Sequence, residues 1–202
     1  MGKRALSGRD NWQELGGMKA AQAENNLYDV FRAHFAGTEY MLHEKPKHLK
    51  NLYASVQLSE DVLSQIYNPP INLENTKWGV SPDFAIENRK TGKILFGEIK
   101  RQDGWVENKD PSAGRGNAHE RLCKLFTPGL IQAYRKIGGI DTLDILPFWV
   151  VFEGDITRDP KRNREVAFWF GPYDKNYFMW RPNMTGKDLT DHFDRYLRPY
   201  LD

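Results

Sequence analysis

Three residues of this sequence have types and spacing suited to phosphate chemistry. Asp83 follows Pro82 at the start of the β-rich run Pro82-Asp83-Phe84-Ala85-Ile86-Glu87, and Glu98 and Lys100 close a second run that starts at Lys93. The polar stretch Asn88 to Gly92 between them reads as a turn, so the two runs predict a β-hairpin. Asp83 and Glu98 stand symmetrically about Lys90 and Thr91. In an antiparallel pair that sets them opposite one another, with Cβ atoms about 4.5–5.5 Å apart. Strand alternation brings Lys100 to the same face as Glu98. Opposed carboxylates raise each other's pKa, so the arrangement calls for a divalent cation, and oxygen ligands without a nearby Cys or His point to Mg²⁺. Asp83 and Glu98 would hold the ion, which would polarise a phosphoryl oxygen and lower the pKa of a bound water. Lys100 would hold that water and offset the growing negative charge, which amounts to phosphodiester hydrolysis. The structural alternative is a surface hairpin whose acid pair is offset by a lysine.

A second constellation is Gly114-Arg115-Gly116-Asn117-Ala118-His119-Glu120-Arg121, a glycine-bounded loop running into a helix start. Arg grips guanine O6 and N7 and Asn grips adenine N6 and N7, so Arg115, Asn117 and Arg121 are suited to reading a major groove. A helix N-terminus also favours phosphate approach. The alternative is a capping Asn117 with Glu120 and Arg121 solvated.

These side chains need a frame. Leu27, Val30, Phe31 and Phe35 form a helical stripe that Gly37 stops, and Leu58, Val62, Leu63 and Ile66 put a second helix over Leu49 to Tyr67, closed by Asn68-Pro69-Pro70. Beyond the hairpin, Asp103 to Arg115 is polar, and a helix from about Asn117 carries Leu122, Leu125 and Phe126. Thr127 and Pro128 read as N-cap and first position of a helix ended by Gly138-Gly139. Phe148-Trp149-Val150-Val151-Phe152 reads as a strand covered on both faces. Glu153 to Glu165 reads as a surface loop, Val166 to Phe170 and Tyr177 to Trp180 as strands, and Leu189, Phe193, Tyr196 and Leu197 as a helix behind Thr185. The fold class expected is α/β, a mixed five-stranded sheet flanked by helices in a single domain over 1–202, with residues 1–17 as a mobile arm.

Composition agrees. The chain has 202 residues, 40% hydrophobic and 28% charged, with a net charge of +2 and one cysteine; its mean hydropathy is −0.69. One domain of this size needs no disulfide, and Cys123 by itself can form neither an internal bridge nor a zinc cluster. A reducing, cytoplasmic setting follows. Neither a signal peptide nor a membrane span is indicated, and Leu6 occupies the position where a myristoylation signal needs a hydroxyl. The charge balance is too mild to announce a polyanion partner.

The Pro-Asp…Glu-x-Lys pattern resembles the nuclease superfamily named for that motif, and Gly116-Asn117-Ala118-His119-Glu120-Arg121 resembles the Gly-Asn-Ala-x-Glu-Arg stretch of EcoRI-like type II restriction endonucleases. The resemblance implies Asp83, Glu98 and Lys100 as catalytic residues. It implies Asn117, Ala118, Glu120 and Arg121 as contacts to an AATT core, within a DNA-binding stretch that also holds Arg115, Gly116 and His119. Arg115 is the candidate for the outer base pair. Further implications are a homodimer on a palindrome of double-stranded DNA, with CAATTG as the site, a 5′ overhang, and a cognate methyltransferase that protects host DNA without touching this chain. The residues by themselves support only an AATT centre. Competing readings are a non-catalytic sequence-specific DNA-binding protein and a repair nuclease of the same superfamily.

Elsewhere, His34 and His192 read as partly buried packing histidines, Cys123 as buried packing, and Trp149, Trp169 and Trp180 as packing in strands. Lys161, Arg162 and Arg164 form a basic loop with interleaved acids, equally suited to phosphate contact or to solvation.

Overall fold

The computed structural model describes the backbone of residues 3–66, 78–103 and 120–202, with side chains from residue 17 onward. The loop after Asn88 sets the register on which the site depends. Asn88 N–H donates to Lys93 O at 3.0 Å and Gly92 N–H to Asn88 O at 2.8 Å, with Gly92 at φ 74°, where only glycine sits without a steric penalty. Arg89 to Gly92 thus turn the chain between β2 (Phe84–Asn88) and β3 (Ile94–Arg101), which pair antiparallel with Phe84 opposite Gly97 and Glu87 opposite Ile94. β1 (Tyr40–Glu44) adds antiparallel to β2; β4 (Phe148–Glu153) and β5 (Tyr177–Trp180) add in parallel to β3 and β4. The result is one mixed sheet in the order β1-β2-β3-β4-β5.

Strand alternation divides the core in two. Phe84, Ile86, Leu95, Ile99, Trp149 and Val151 face α1 (Lys3–His34) and α5 (Gly186–Tyr196), which contribute Leu27, Phe31, Leu189 and Phe193. Ala85, Phe96, Phe148, Val150 and Phe152 face α3 (Pro128–Gly138) and α4 (Pro160–Phe170), which contribute Leu130, Tyr134, Val166 and Phe170. Each face excludes water from a row of aromatic and branched side chains, the main stabilising contribution to such a sandwich. The α/β class, the hairpin, the covered β4 and the C-terminal helix stand as expected; α5 starts with Thr185 N–H donating to Asp188 Oδ2 at 2.7 Å.

Several expectations are corrected. The helix over Leu49 to Tyr67 is instead a single 3₁₀ turn, Leu52–Ser55, and a short α2, Glu60–Leu63. Backbone bonds from Val80 N to Leu49 O (3.0 Å) and Tyr53 N to Trp78 O (2.8 Å) engage this stretch sideways, and Leu58, Val62, Leu63 and Ile66 are exposed. Asn68-Pro69-Pro70 lie outside the described residues. Of the loop expected at Glu153 to Glu165, Glu153 ends β4 and Asp155–Arg158 form a 3₁₀ turn, while from Pro160 onward that loop and the strand expected at Val166 to Phe170 are replaced by α4, whose N-cap Asp159 accepts from Lys161 N at 2.8 Å and Arg162 N at 3.2 Å. Val166 and Phe170 are buried at helical spacing while Phe168 is 85% exposed, which a strand with one covered face does not allow. Lys161, Arg162 and Arg164 therefore lie on a helix, as does Trp169. Cys123 is exposed rather than packed, because the 3₁₀ turn Glu120–Phe126 directs Leu122 and Leu125 inward. Thr127 precedes α3 as expected, but its hydroxyl donates back to Lys124 O at 2.8 Å instead of capping. The stretch expected as an arm is in helical conformation from Lys3. β1 had no reading in the sequence, its five residues mixing polar and apolar types at a sheet edge.

Candidate active site

Asp83 immediately precedes β2, and the register of the hairpin carries it opposite Glu98. Its carboxylate Oδ2 accepts the main-chain N–H of Ile99 at 2.9 Å and Lys100 Nζ at 3.1 Å. Lys100 Nζ also donates to Glu98 Oε2 at 2.5 Å, so one ammonium bridges the two acids. All three side chains are largely sheltered, Glu98 at 8% exposure. Burial pushes the Glu98 carboxyl above its ordinary range, Lys100 pulls it back and Asp83 adds to the rise. Burial works against the charge of Lys100, yet Glu98 and Asp83 outweigh it and raise its pKa. The lysine is a cation at neutral pH held between the two carboxyl groups.

The main chain of Asp83 is held as firmly as its side chain. Tyr28 of α1 donates its hydroxyl to Asp83 O at 2.7 Å, and Lys45 N–H donates to the same oxygen at 3.0 Å. Lys45 is, among the described residues, the only non-glycine at positive φ, 46°, and its ammonium pairs with Glu24 of α1 at 3.0 Å. Beyond Lys100, Arg101 pairs with Glu153 at 3.0 Å and Asp103 with Lys19 at 3.0 Å, tying the end of β3 to β4 and α1.

The donor set fits a hard divalent cation. It presents two carboxylates on one face, already arranged around a positive charge, and among the described residues no further His, Cys, Asp or Glu completes a cluster of three. The remaining positions would fall to water and substrate oxygens, as Mg²⁺ prefers.

The structure brings together Asp83, Glu98 and Lys100 as the sequence predicts. Glu120 and Arg121 are exposed at the start of the 3₁₀ turn, and Lys124 of the same turn lies close enough to lower the Glu98 pKa. Arg115, Gly116, Asn117, Ala118 and His119 lie outside the described residues. His34 pairs with Asp194 at 3.0 Å and His192 stacks on Trp149, packing roles both. Sequence reasoning missed Tyr28, Lys45 and Lys124. A tyrosine within the apolar stripe of α1 was the sole signal for the first, and nothing local marked the other two.

The whole chain, residues 1–202, matches the family model for type II restriction enzyme MunI. The chain belongs to the MunI family of type II restriction enzymes. Type II restriction enzyme MunI of Mycoplasma sp is 70% identical over 202 residues, which are all of both chains. The crystal structure of MunI restriction endonuclease in complex with cognate DNA superposes with a TM-score of 0.81 at 70% identity, covering 95% of this chain and 98% of that one. As a MunI-family member the chain is a site-specific restriction endonuclease, which sets aside the non-catalytic binding protein and the repair nuclease. The MunI family also supplies the individual likeness behind the EcoRI-like motifs.

Proposed function

We propose that this endonuclease hydrolyses double-stranded DNA in a Mg²⁺-dependent reaction at a palindrome with an AATT core, CAATTG, leaving 5′ overhangs. The observation that carries the reading is the Lys100 ammonium bridging Asp83 and Glu98 at the end of the hairpin. The relative's complex with cognate DNA supports the substrate class. Asp83 and Glu98 hold the cation, with the Ile99 N–H keeping the Asp83 carboxylate turned toward Glu98. When bound, Mg²⁺ supplies Lewis-acid stabilisation of charge developing on the scissile phosphate. Lys100 has three donors, enough to keep its hold on the carboxylates and orient a water for attack on phosphorus. Its raised pKa keeps it positive, so it also offsets the charge that builds as the phosphorus–oxygen bond breaks.

Arg115, Asn117, Ala118, Glu120 and Arg121 read the bases, with Gly116 and His119 completing the stretch and Arg115 assigned to the outer pair. A palindrome matches a homodimer that places one active site on each strand. The enzyme acts in the cytoplasm, beside a methyltransferase that protects host DNA.

The test is digestion of plasmid DNA of known sequence with Mg²⁺, followed by sequencing of the ends, with Asp83→Ala and a metal-free reaction as controls. Discrete fragments with AATT overhangs flanked by C and G, lost in both controls, are expected. Intact DNA with folded protein, or cleavage that survives Asp83→Ala, would overturn the assignment.

A further inference from the structure

Asp83 stands one residue before the first ladder pair of β2, and the preceding Pro82 has no N–H to donate. The β2–β3 ladder therefore does not by itself determine where the Asp83 main chain sits. Two donors from outside the hairpin do, the Tyr28 hydroxyl at 2.7 Å and the Lys45 N–H at 3.0 Å, and both end on Asp83 O. The second is obtained with Lys45 at φ 46°, a conformation that a side-chain-bearing residue adopts at a cost and that persists only where its surroundings enforce it. Lys45 is in turn tied to α1 through Glu24. Tyr28 is a buried core residue of α1, 3% exposed, so its hydroxyl is a rigid post rather than a surface group.

We propose that Tyr28 is a positioning residue for cleavage. Through its hydroxyl, α1 sets the depth at which the Asp83 carboxylate meets Glu98 and Lys100, and hence the geometry offered to the cation. The inference rests on the assignment of Asp83 as a metal-holding residue. A carbonyl released on one side lets Asp83 swing about its remaining bonds, and misplacements of about 1 Å at reacting groups cost on the order of 100-fold in rate. Part of that loss is expected here, since Lys45 N and Ile99 N remain.

The test compares Tyr28→Phe with Tyr40→Phe. Tyr40 is also buried, 4% exposed, and its hydroxyl donates to Asp202 and accepts from Asn88 Nδ2 at 3.5 Å, at the far end of the hairpin from the site, so its loss controls for the stability lost with a buried tyrosine hydroxyl. Wild type, both variants and Asp83→Ala are assayed for kcat and KM on plasmid DNA, for Mn²⁺ binding by titration calorimetry without turnover, and for Tm. Tyr28→Phe is expected to lower kcat about tenfold with KM unchanged and to weaken Mn²⁺ binding several-fold, while Tyr40→Phe moves only Tm. The Tm of each variant is read on the same preparation, so a folded Tyr28→Phe with lowered kcat separates positioning from loss of fold. If Asp83→Ala abolishes cleavage and Mn²⁺ binding but Tyr28→Phe behaves as Tyr40→Phe, the positioning role is overturned. If Asp83→Ala itself cleaves and binds Mn²⁺ normally, the assignment of Asp83 fails instead, and the role of Tyr28 with it.

Discussion

Ile99 donates its main-chain N–H to Asp83 Oδ2 at 2.9 Å, so a backbone amide of one hairpin strand holds the carboxylate at the head of the other. The bond is available because β3 continues beyond Gly97, the partner of the first residue of β2, Phe84. An asparagine at position 83 can still accept this N–H but carries no charge. Asp83→Asn is therefore expected to melt within about 2–4 °C of wild type while losing on the order of 1000-fold in cleavage. A thermal melt and a plasmid nicking assay on the same preparation check the split.

Lys100→Met removes the cation shared by Asp83 and Glu98. Glu98 loses the largest influence that lowers its pKa, keeps the weaker one from Lys124, and keeps the two that raise it, burial and Asp83. In the variant the folded state then binds a proton more tightly than the unfolded chain above the ordinary glutamate range. Stability should fall as pH rises through that interval, more steeply than in wild type. The loss at pH 8 is expected near the low end of the roughly 3–5 kcal/mol typical of a buried charge left without its partner. Added Mg²⁺ should restore part of it by replacing the ammonium. Urea midpoints at pH 6 and pH 8, with and without Mg²⁺, measure both effects.

Gly97 faces the ring of Phe84, and a Cβ there would lie 2.1 Å from Phe84 Cζ. Phe84 is fully buried and follows Asp83 directly. Gly97→Ala should cost about 1–3 kcal/mol in strain and backbone shift. It should also lower cleavage, because the ring can yield only by moving the strand that carries Asp83. Denaturant unfolding and initial cleavage rates, measured together, should both decline.

His192 donates Nε2–H to Lys175 O at 2.9 Å and lies parallel to Trp149. Burial lowers its pKa below the ordinary 6.5. The unfolded chain binds this proton more readily, so the stability the neutral ring contributes is complete above pH 6.5 and is lost as pH falls toward the folded-state value. Urea midpoints from pH 8 to pH 5 should drop more steeply for wild type than for His192→Gln, and equal slopes would contradict this reading.

The hairpin and its three catalytic candidates were legible because their signals are local. A turn ending in glycine, two β-rich runs and the period of two in a strand suffice to put Asp83 opposite Glu98 and beside Lys100. The C-terminal helix and β4 were legible for the same reason, one through a stripe behind Thr185 and the other through an unbroken apolar run. The segment ending at Phe170 was misread because Val166 to Phe170 is apolar and aromatic. The deciding signal, Asp159 before Pro160 as cap and first turn, lies at its far end.

The sequence by itself determined the chemistry on offer, two carboxylates and a lysine on one face, because hairpin register depends on neighbours only a few residues away. Tertiary structure decided how deeply that trio is buried, and hence that Glu98 is raised and Lys100 kept charged, since desolvation arises from helices far off in the chain. It also decided that the Asp83 main chain is held by Tyr28 and Lys45. Those residues lie 55 and 38 positions away in the sequence, and no periodicity or spacing encodes contacts made only when α1 packs across the sheet and β1 pairs along its edge.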